Sequence, residues 1–353
     1  MNLDDLSYIK QIDTRDMLGE IDHLPDQLEA AWKLGFEQDL PQVSGIRSVV
    51  IAGMGGSAIG ADLLAAYAEP RCKVPVIVHR DYGLPAWAQG PETLVIASSH
   101  SGNTEETLDA FEQAQARGCR LMTVSTGGKL TQMGTEAGAA VWTFQHSGQP
   151  RAAVGYSFGL LLAAFVRLGL LEDVSAELQN AVTAMRAQQE RINVSVPAVN
   201  NPAKRQAGQL MDRIVVVIGA EHLAPVARRW KGQISELAKA WGQFEFLPEA
   251  NHNTLAGTEY PEELLSRLMV MFLRGSACHP RNQLRLELTR REFMLQGLGT
   301  DPFDAAGDTA LAQQWTALHF GDYMAFYLAL AYGVDPTPIA ALESFKAEMR
   351  RSS

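Results

Sequence analysis

A run of five residues, Ser48-Val-Val-Ile-Ala52, stops at Gly53-Met-Gly-Gly-Ser57, and an amphipathic stretch from Ala58 to Tyr67 follows. A short apolar run closed by glycines and continued at helical period is a buried strand, a tight turn and a helix. The unit recurs. Further strands are predicted at Val74–Val78, Thr93-Leu-Val-Ile-Ala97, Arg120-Leu-Met-Thr-Val124 and Ala140-Val-Trp-Thr-Phe144. Strands alternating with helices of about 10–15 residues are joined by right-handed crossovers, which predicts an α/β protein with a parallel sheet.

The pattern then restarts. Arg213-Ile-Val-Val-Val-Ile218 runs into Gly219-Ala-Glu-His-Leu-Ala-Pro225, and a helical stretch covers 226–240. Val49-Val-Ile-Ala-Gly53 and Val215-Val-Val-Ile-Gly219 read as two copies of one strand-to-turn unit. The predicted architecture is two doubly wound parallel-sheet subdomains, each an αβα sandwich, over residues 46–171 and 172–353. A helical lead-in covers 1–45, where Met17, Ile21, Leu24, Leu28 and Trp32 recur at helical spacing and Pro25 is a predicted interruption. C-terminal helices follow, one basic (283–296), one apolar (311–331) and one after Asp335-Pro-Thr-Pro338. A chain of 353 residues has room for both halves.

Thirty basic residues against forty acidic ones give a net charge of −10, which argues against a nucleic-acid partner. Cys72, Cys119 and Cys278 form no C-x-x-C pair, so neither a disulfide framework nor a zinc knuckle is supported. No spacing such as H-E-x-x-H points to a metal site. The start of the chain, MNLDDLSYIKQID, has acidic residues where an export signal would have basic ones. The most apolar stretch, Val154 to Leu171, is broken by Ser157 and Arg167 and reads as a buried helix rather than a span. A soluble, cytoplasmic protein with no membrane partner is expected.

Two loops carry chemistry. Gly53-Met-Gly-Gly-Ser-Ala58 fits a dinucleotide fingerprint, with Asp81 as a ribose ligand, and fits also a monophosphate or sugar site with Gly56 and Ser57 at a helix start and Gly55 lining the substrate pocket. The second loop, Ser98-Ser-His-Ser-Gly-Asn-Thr104, decides between them. Four hydroxyls in seven residues at the mouth of a strand make a neutral cup for a phosphate dianion, with Ser99, Ser101 and Thr104 as donors beside Ser57. Helix capping accounts for one such hydroxyl but not for four together.

Gly-Met-Gly-Gly-Ser-Ala-Ile-Gly60 followed by Ser-His-Ser-Gly-Asn-Thr-Glu-Glu-Thr107 resembles a sugar isomerase (SIS) domain. Pro150-Arg151, Glu236-Leu-Ala-Lys239, Pro248-Glu-Ala-Asn-His-Asn253 and Gly333-Val-Asp-Pro-Thr-Pro338 are similar to segments of the bifunctional phosphoglucose/phosphomannose isomerases, whose two SIS domains match the internal repeat. The resemblance implies interconversion of glucose 6-phosphate, and of mannose 6-phosphate, with fructose 6-phosphate through a cis-enediolate. It implies Glu236 as the base that moves a proton between C1 and C2. It implies a homodimer in which His252, the ring-opening group, crosses from the neighbouring subunit, and Lys346 near the sugar ring. Arg151 suits the developing enediolate oxygen, since a permanently charged fork stabilises an oxyanion. Thr337 is a candidate for the room needed by either C2 configuration. Such chemistry needs no metal and no cofactor.

Other functions remain in view at this level. A non-catalytic phosphosugar sensor of this fold would carry a DNA-binding helix-turn-helix, for which the acidic residues 1–45 are poorly suited. An aminosugar synthase would need a cysteine nucleophile where Asn2 stands. A nicotinamide dehydrogenase would need its cofactor for any turnover. The charged segment 281–308 and the lead-in lie outside the core resemblance and bear on substrate access.

Overall fold

The computed structural model describes residues 2–41 and 43–351. Three helices open the chain: α1 (Leu6–Ile12), α2 (Met17–Asp22) and α3 (Leu24–Glu37). The first parallel sheet is built from β1 (Ser48–Ala52), β2 (Val76–His79), β3 (Thr93–Ser99), β4 (Arg120–Ser125) and β5 (Ala140–Thr143). Helices α4 (Gly55–Ala68), α5 (Glu105–Ala116) and α6 (Gly128–Glu136) form its crossovers. Helices α7 (Val154–Arg167), α8 (Ser175–Ile192) and α9 (Pro202–Leu210) lead to the second sheet. That sheet holds β6 (Ile214–Ala220), β7 (Gly242–Leu247), β8 (Leu268–Arg274) and β9 (Gly299–Asp304), with α10 (Ala224–Glu236), α11 (Glu262–Leu265) and α12 (Pro280–Leu295) between them. Helices α13 (Ala310–Tyr332) and α14 (Ala340–Arg351) close the described chain.

The strand orders are β2-β1-β3-β4-β5 and β7-β6-β8-β9, parallel throughout. In each sheet the chain steps outward from its first strand, then crosses back to the other side of it. The reversal lies between β1 and β3, paired Ala52 to Ala97, and between β6 and β8, paired Ile218 to Phe272. At such a point the crossover helices diverge to opposite faces and leave a crevice at the carboxyl ends of the strands. The strand runs explain the centre of each sheet. Val49, Val50, Ile51, Val95, Ile96, Val215, Val217 and Met271 are wholly buried, as strands covered on both faces require.

Helix α13 is apolar on every side and runs through the middle of the molecule, packing on α8, α9 and α10. Some of its polar groups are paired, Gln314 donating to the carbonyls of Leu63 and His222 and His319 meeting the Ile21 carbonyl at 2.9 Å, while Gln314 Oε1, Trp315 Nε1 and His319 Nδ1 have no partner among the described residues. One continuous apolar core therefore contains side chains from both sheets' helices. The lead-in belongs to that core. Met17, Ile21, Leu24, Leu28 and Ala31 are buried, and α3 lies along α7. Burial of Leu28 alone is worth about 1.5–3 kcal/mol. The expected interruption at Pro25 is the break between α2 and α3, where proline occupies the first turn of α3. Among the described residues no helix is long and apolar enough to cross a membrane.

Candidate active site

The first crevice is built by the two loops singled out above. Gly55 has φ +52°, a left-handed geometry that glycine adopts without strain, and it opens α4 with no side-chain cap. Free N–H groups there point out of the helix start, the favoured place for an anion. Ser57, buried in the next turn, accepts a hydrogen bond from the His100 N–H through Oγ at 3.2 Å, which ties the first loop to the second. In the second loop Ser99 Oγ and Thr104 Oγ1 share a hydrogen bond of 2.9 Å. Thr104 precedes α5 but makes no side-chain cap to it. Ser101 is exposed, and its Oγ accepts from the Asn103 N–H at 3.3 Å, the one local turn contact of the four hydroxyls. Gly102, at φ +65°, lies so close to the 127–128 turn that a Cβ would overlap the Gly127 carbonyl oxygen.

The next element arrives from the end of the first sheet. A single 3-10 turn, Pro150–Ala152, packs against the start of α4. A Cβ on Gly56 would stand 2.5 Å from the Pro150 oxygen and 3.2 Å from the Arg151 Cα, so only glycine admits this approach. Arg151 is 5% exposed. Its Nη2 donates to the carbonyls of Pro336 (2.9 Å) and Thr337 (2.5 Å), while Nη1 lies 3.8 Å from Glu236 Oε2. Its Nε is buried with no partner among the described residues. Burial lowers the guanidinium's proton affinity and Glu236 opposes that effect.

Glu236 is the last residue of α10, and its side chain is about a third exposed. Two further groups that sequence reasoning left without a role stand here. Lys239 takes a left-handed backbone, φ +56°, and its Nζ donates to the carbonyls of Glu236 (2.7 Å) and Leu237 (3.1 Å), closing the end of α10. Burial, then the charge of Arg151, pulls the Lys239 ammonium down to about 8 against the opposing Asp335 and Glu236. Behind them Arg229 holds Asp322 through two bonds, Nε to Oδ1 at 3.0 Å and Nη2 to Oδ2 at 2.8 Å. Its Nη1 donates to the Arg151 carbonyl at 2.8 Å. The only sequence signal for Lys239 and Asp335 was membership of the quoted segments. For Arg229 and Asp322, on separate helices, there was none.

Thr337 joins the group through its carbonyl. It is buried, with Oγ1 unpartnered among the described residues, and its N–H donates to Asp335 Oδ1 at 2.9 Å. His252 and Lys346 stand apart. His252 ends the 3-10 turn Glu249–His252 after β7 and is exposed, and its ring makes no hydrogen bond or ion pair with a described residue. Asn251 anchors that loop, donating to Thr289 Oγ1 at 2.7 Å and accepting from Arg285 at 3.0 Å. Lys346 lies on the exposed helix α14 and likewise contacts none of the Glu236 group.

Among the described residues one group has metal-ligand character: Glu221, His222 and Cys278, at the second crevice. Burial pushes the Cys278 thiol up to about 12, and Glu221 adds to the shift. Glu221 is already occupied by the His279 N–H (2.9 Å) and Asn282 (2.6 Å).

Residues 199–349 match the family model described as the bacterial phospho-glucose isomerase C-terminal SIS domain. A bifunctional phosphoglucose/phosphomannose isomerase of Caldicellulosiruptor bescii is 39% identical over 337 residues, covering 94% of this chain and 98% of that protein. One from Aquifex aeolicus is 32% identical over 86% of this chain and 91% of its own length. Among solved structures, a glucose-6-phosphate isomerase-like protein from Thermus thermophilus superposes with a TM-score of 0.64 at 20% identity, covering 97% of this chain and 99% of that one. At that identity it speaks for the fold alone.

Proposed function

The chain belongs to the bifunctional phosphoglucose/phosphomannose isomerase family, and from that premise we propose that it interconverts glucose 6-phosphate and mannose 6-phosphate with fructose 6-phosphate. The observation that carries the assignment of roles is the position of Arg151. Its turn packs on the glycine loop of the first sheet, and its guanidinium faces Glu236 from the second.

The phosphate is taken up by the crook of Ser57, Ser99, Ser101 and Thr104 with the N–H groups around Gly55 and Gly56. Anchoring the dianion there lets remote binding energy orient the reacting carbons. Glu236 then moves a proton between C1 and C2. Arg151 stabilises the enediolate oxygen as charge develops, and its fixed bonds to the Pro336 and Thr337 carbonyls keep it preorganised. Thr337 borders the room that admits either configuration at C2. No metal or cofactor is needed for this proton shuttle.

His252 opens the sugar ring from the neighbouring subunit of a homodimer, and Lys346 approaches the ring in the same assembly. The exposed, unpaired ring of His252 supports this, since it is free to serve a site other than its own. The protein acts on a free sugar phosphate in the cytoplasm, in the reversible steps that feed and drain glycolysis and gluconeogenesis. The halves 46–171 and 172–353 act as two SIS units, with 1–45 and the C-terminal helices completing them.

The test is a coupled assay of metal-free, cofactor-free protein with each aldose phosphate. Conversion of both is expected, and conversion of neither sinks the proposal. Glu236→Gln should abolish turnover and keep hexose-phosphate binding. Binding without turnover in the unmodified protein would instead mark a sensor.

A further inference from the structure

The second loop contains a side chain that the isomerase reading leaves idle. His100 stands between Ser99 and Ser101, and its backbone stitches the crevice together. Its N–H donates to Ser57 Oγ, and its carbonyl accepts from the Thr126 N–H (2.9 Å) and Oγ1 (2.7 Å). Its ring turns away toward the N-terminal segment. His100 Nε2 meets His146 Nδ1 at 2.9 Å, and His146 Nε2 meets Glu20 Oε2 on α2 at 3.0 Å. The three groups come from positions far apart in sequence: a helix before the first sheet, the end of β3 and the loop after β5.

The direction of this chain of bonds follows from chemistry. An ionised carboxylate only accepts, so His146 Nε2 carries the proton given to Glu20. In the neutral tautomer of His146 that this sets, Nδ1 is a lone pair that accepts from His100 Nε2–H. Each tautomer is fixed by its neighbour, with Glu20 as the origin. The His100 ring is neutral, because burial and the neighbouring His146 push its pKa down to about 4. The rings are also held by packing. His100 and His146 cross edge to face at 5.1 Å, His100 abuts Phe144, and His146 abuts Tyr156. Room for the carboxylate depends on Gly148, where a Cβ would overlap Glu20 Oε1.

We infer that Glu20 and His146 are positioning residues for substrate: through the ring of His100 they set the orientation of the Ser99–Thr104 loop and its bond to Ser57. The N-terminal helical segment is thereby part of the sugar-phosphate site rather than a separate appendage. The inference rests on the isomerase reading in taking that loop as the phosphate crook. Its consequence is confined to binding, because the relay touches neither Glu236 nor Arg151.

The experiment measures steady-state kinetics and calorimetric binding of fructose 6-phosphate in four variants. His146→Phe keeps a ring against Tyr156 and removes both hydrogen bonds. Glu20→Ala removes the origin of the chain, and Glu20→Gln keeps an acceptor oxygen in its place. The fourth variant combines Glu20→Ala with His146→Phe. KM and Kd should rise about tenfold in His146→Phe and in Glu20→Ala, the equivalent of one lost hydrogen bond, with kcat within about threefold of the parent. Glu20→Gln should stay near the parent. The double variant should be no worse than either single change, because the two residues act as one chain. Unchanged KM in both single variants overturns the inference, as does a kcat loss at constant KM or a multiplicative loss in the double variant. If either disruptive variant fails to fold, Glu20→Asp, which shortens the reach to His146, must show the same KM rise for the inference to stand. Failure of the isomerase reading looks different: the unmodified protein itself then neither binds nor converts the sugar phosphate.

Discussion

Replacing Asp322 by asparagine isolates the charge that supports Arg151. The Arg229 and Asp322 side chains are 4% and 3% exposed and joined by two hydrogen bonds. Asparagine fills the same volume and keeps an acceptor, so no cavity opens, yet the guanidinium is left buried without its counter-charge. Breaking one side of such a pair costs about 3–5 kcal/mol. A chain of 353 residues unfolds with an entropy of roughly 0.7 kcal/mol per kelvin, so the melting temperature should fall by about 4–7 °C. Calorimetry on Asp322→Asn reads this directly. The control is Arg229→Met combined with Asp322→Leu. Exchanging a buried pair for apolar side chains of similar size is often close to neutral, so the double variant should recover more than half of the lost stability. Its kcat should nevertheless fall below that of Asp322→Asn, because the Arg151 carbonyl then lacks the Arg229 donor seen at 2.8 Å. A melting temperature within 1 °C of the parent, or a double variant as unstable as the single one, would refute the reasoning.

Three other outcomes are expected. Gly102→Ala places a side chain at φ +65° against the Gly127 carbonyl. The strain, about 1–3 kcal/mol, should appear as lost stability and as weaker phosphate binding in calorimetry, with neither change refuting the loop assignment. Mixing Glu236→Gln with His252→Asn should restore about a quarter of the parental turnover, since half of randomly paired dimers carry one intact site out of two if His252 crosses over. No restoration means both groups serve the same chain. His319 is wholly buried and held near a pKa of about 4, depressed chiefly by burial. Its neutral form stabilises the fold fully above the unfolded value near 6.5, and that stability is lost as pH falls toward 4, roughly 3 kcal/mol in all. His319→Gln should flatten the denaturation midpoint across that window, and an unchanged acid slope would contradict it.

The first sheet was legible because its central strands are buried runs that stop at glycine or serine. Val49–Ala52 and Leu94–Ser98 have almost no exposed surface, and the loops after them carry the hydroxyls. β6 was legible as a repeat of β1 for the same reason. The two edge strands of that sheet were not. β7 is a half-exposed edge, and β9 contains Gly299-Thr-Asp-Pro-Phe-Asp304, a composition that propensity assigns to a loop. It is a strand because it pairs only with β8, Pro302 opposite Phe272, and an edge position spares the missing N–H. The segment 281–308 thus resolves into a helix and this edge strand. In the site, Glu236, Arg151 and Thr337 were nameable from local segments. That Arg151 binds the Pro336 and Thr337 carbonyls, 185 and 186 residues away, was not, because a backbone acceptor leaves no mark on composition.

The repeated topology raises the question of why the proposed isomerase would use one crevice and not the other. The crevice between β1 and β3 opens onto glycines and hydroxyls with the start of α4 uncapped. The equivalent place between β6 and β8 holds an anion of its own. Glu221, strained at φ +52°, turns its carboxylate onto the His279 N–H at the start of α12 and onto Asn282. A carboxylate in that crevice disfavours a second anion there. The second sheet contributes from its opposite edge instead. α10 leaves the carboxyl end of β6 and runs back for thirteen residues, about 20 Å, before Glu236. A hexose phosphate cannot span that length, so the same ligand cannot lie in the second crevice and meet Glu236. On the proposed assignment the duplicated fold yields a single composite site, with the anion held at the carboxyl edge of one sheet and the base delivered from the amino edge of the other. Glu221→Gln should accordingly leave KM for sugar phosphate unchanged. A marked change in KM would mean that the second crevice takes part in binding after all.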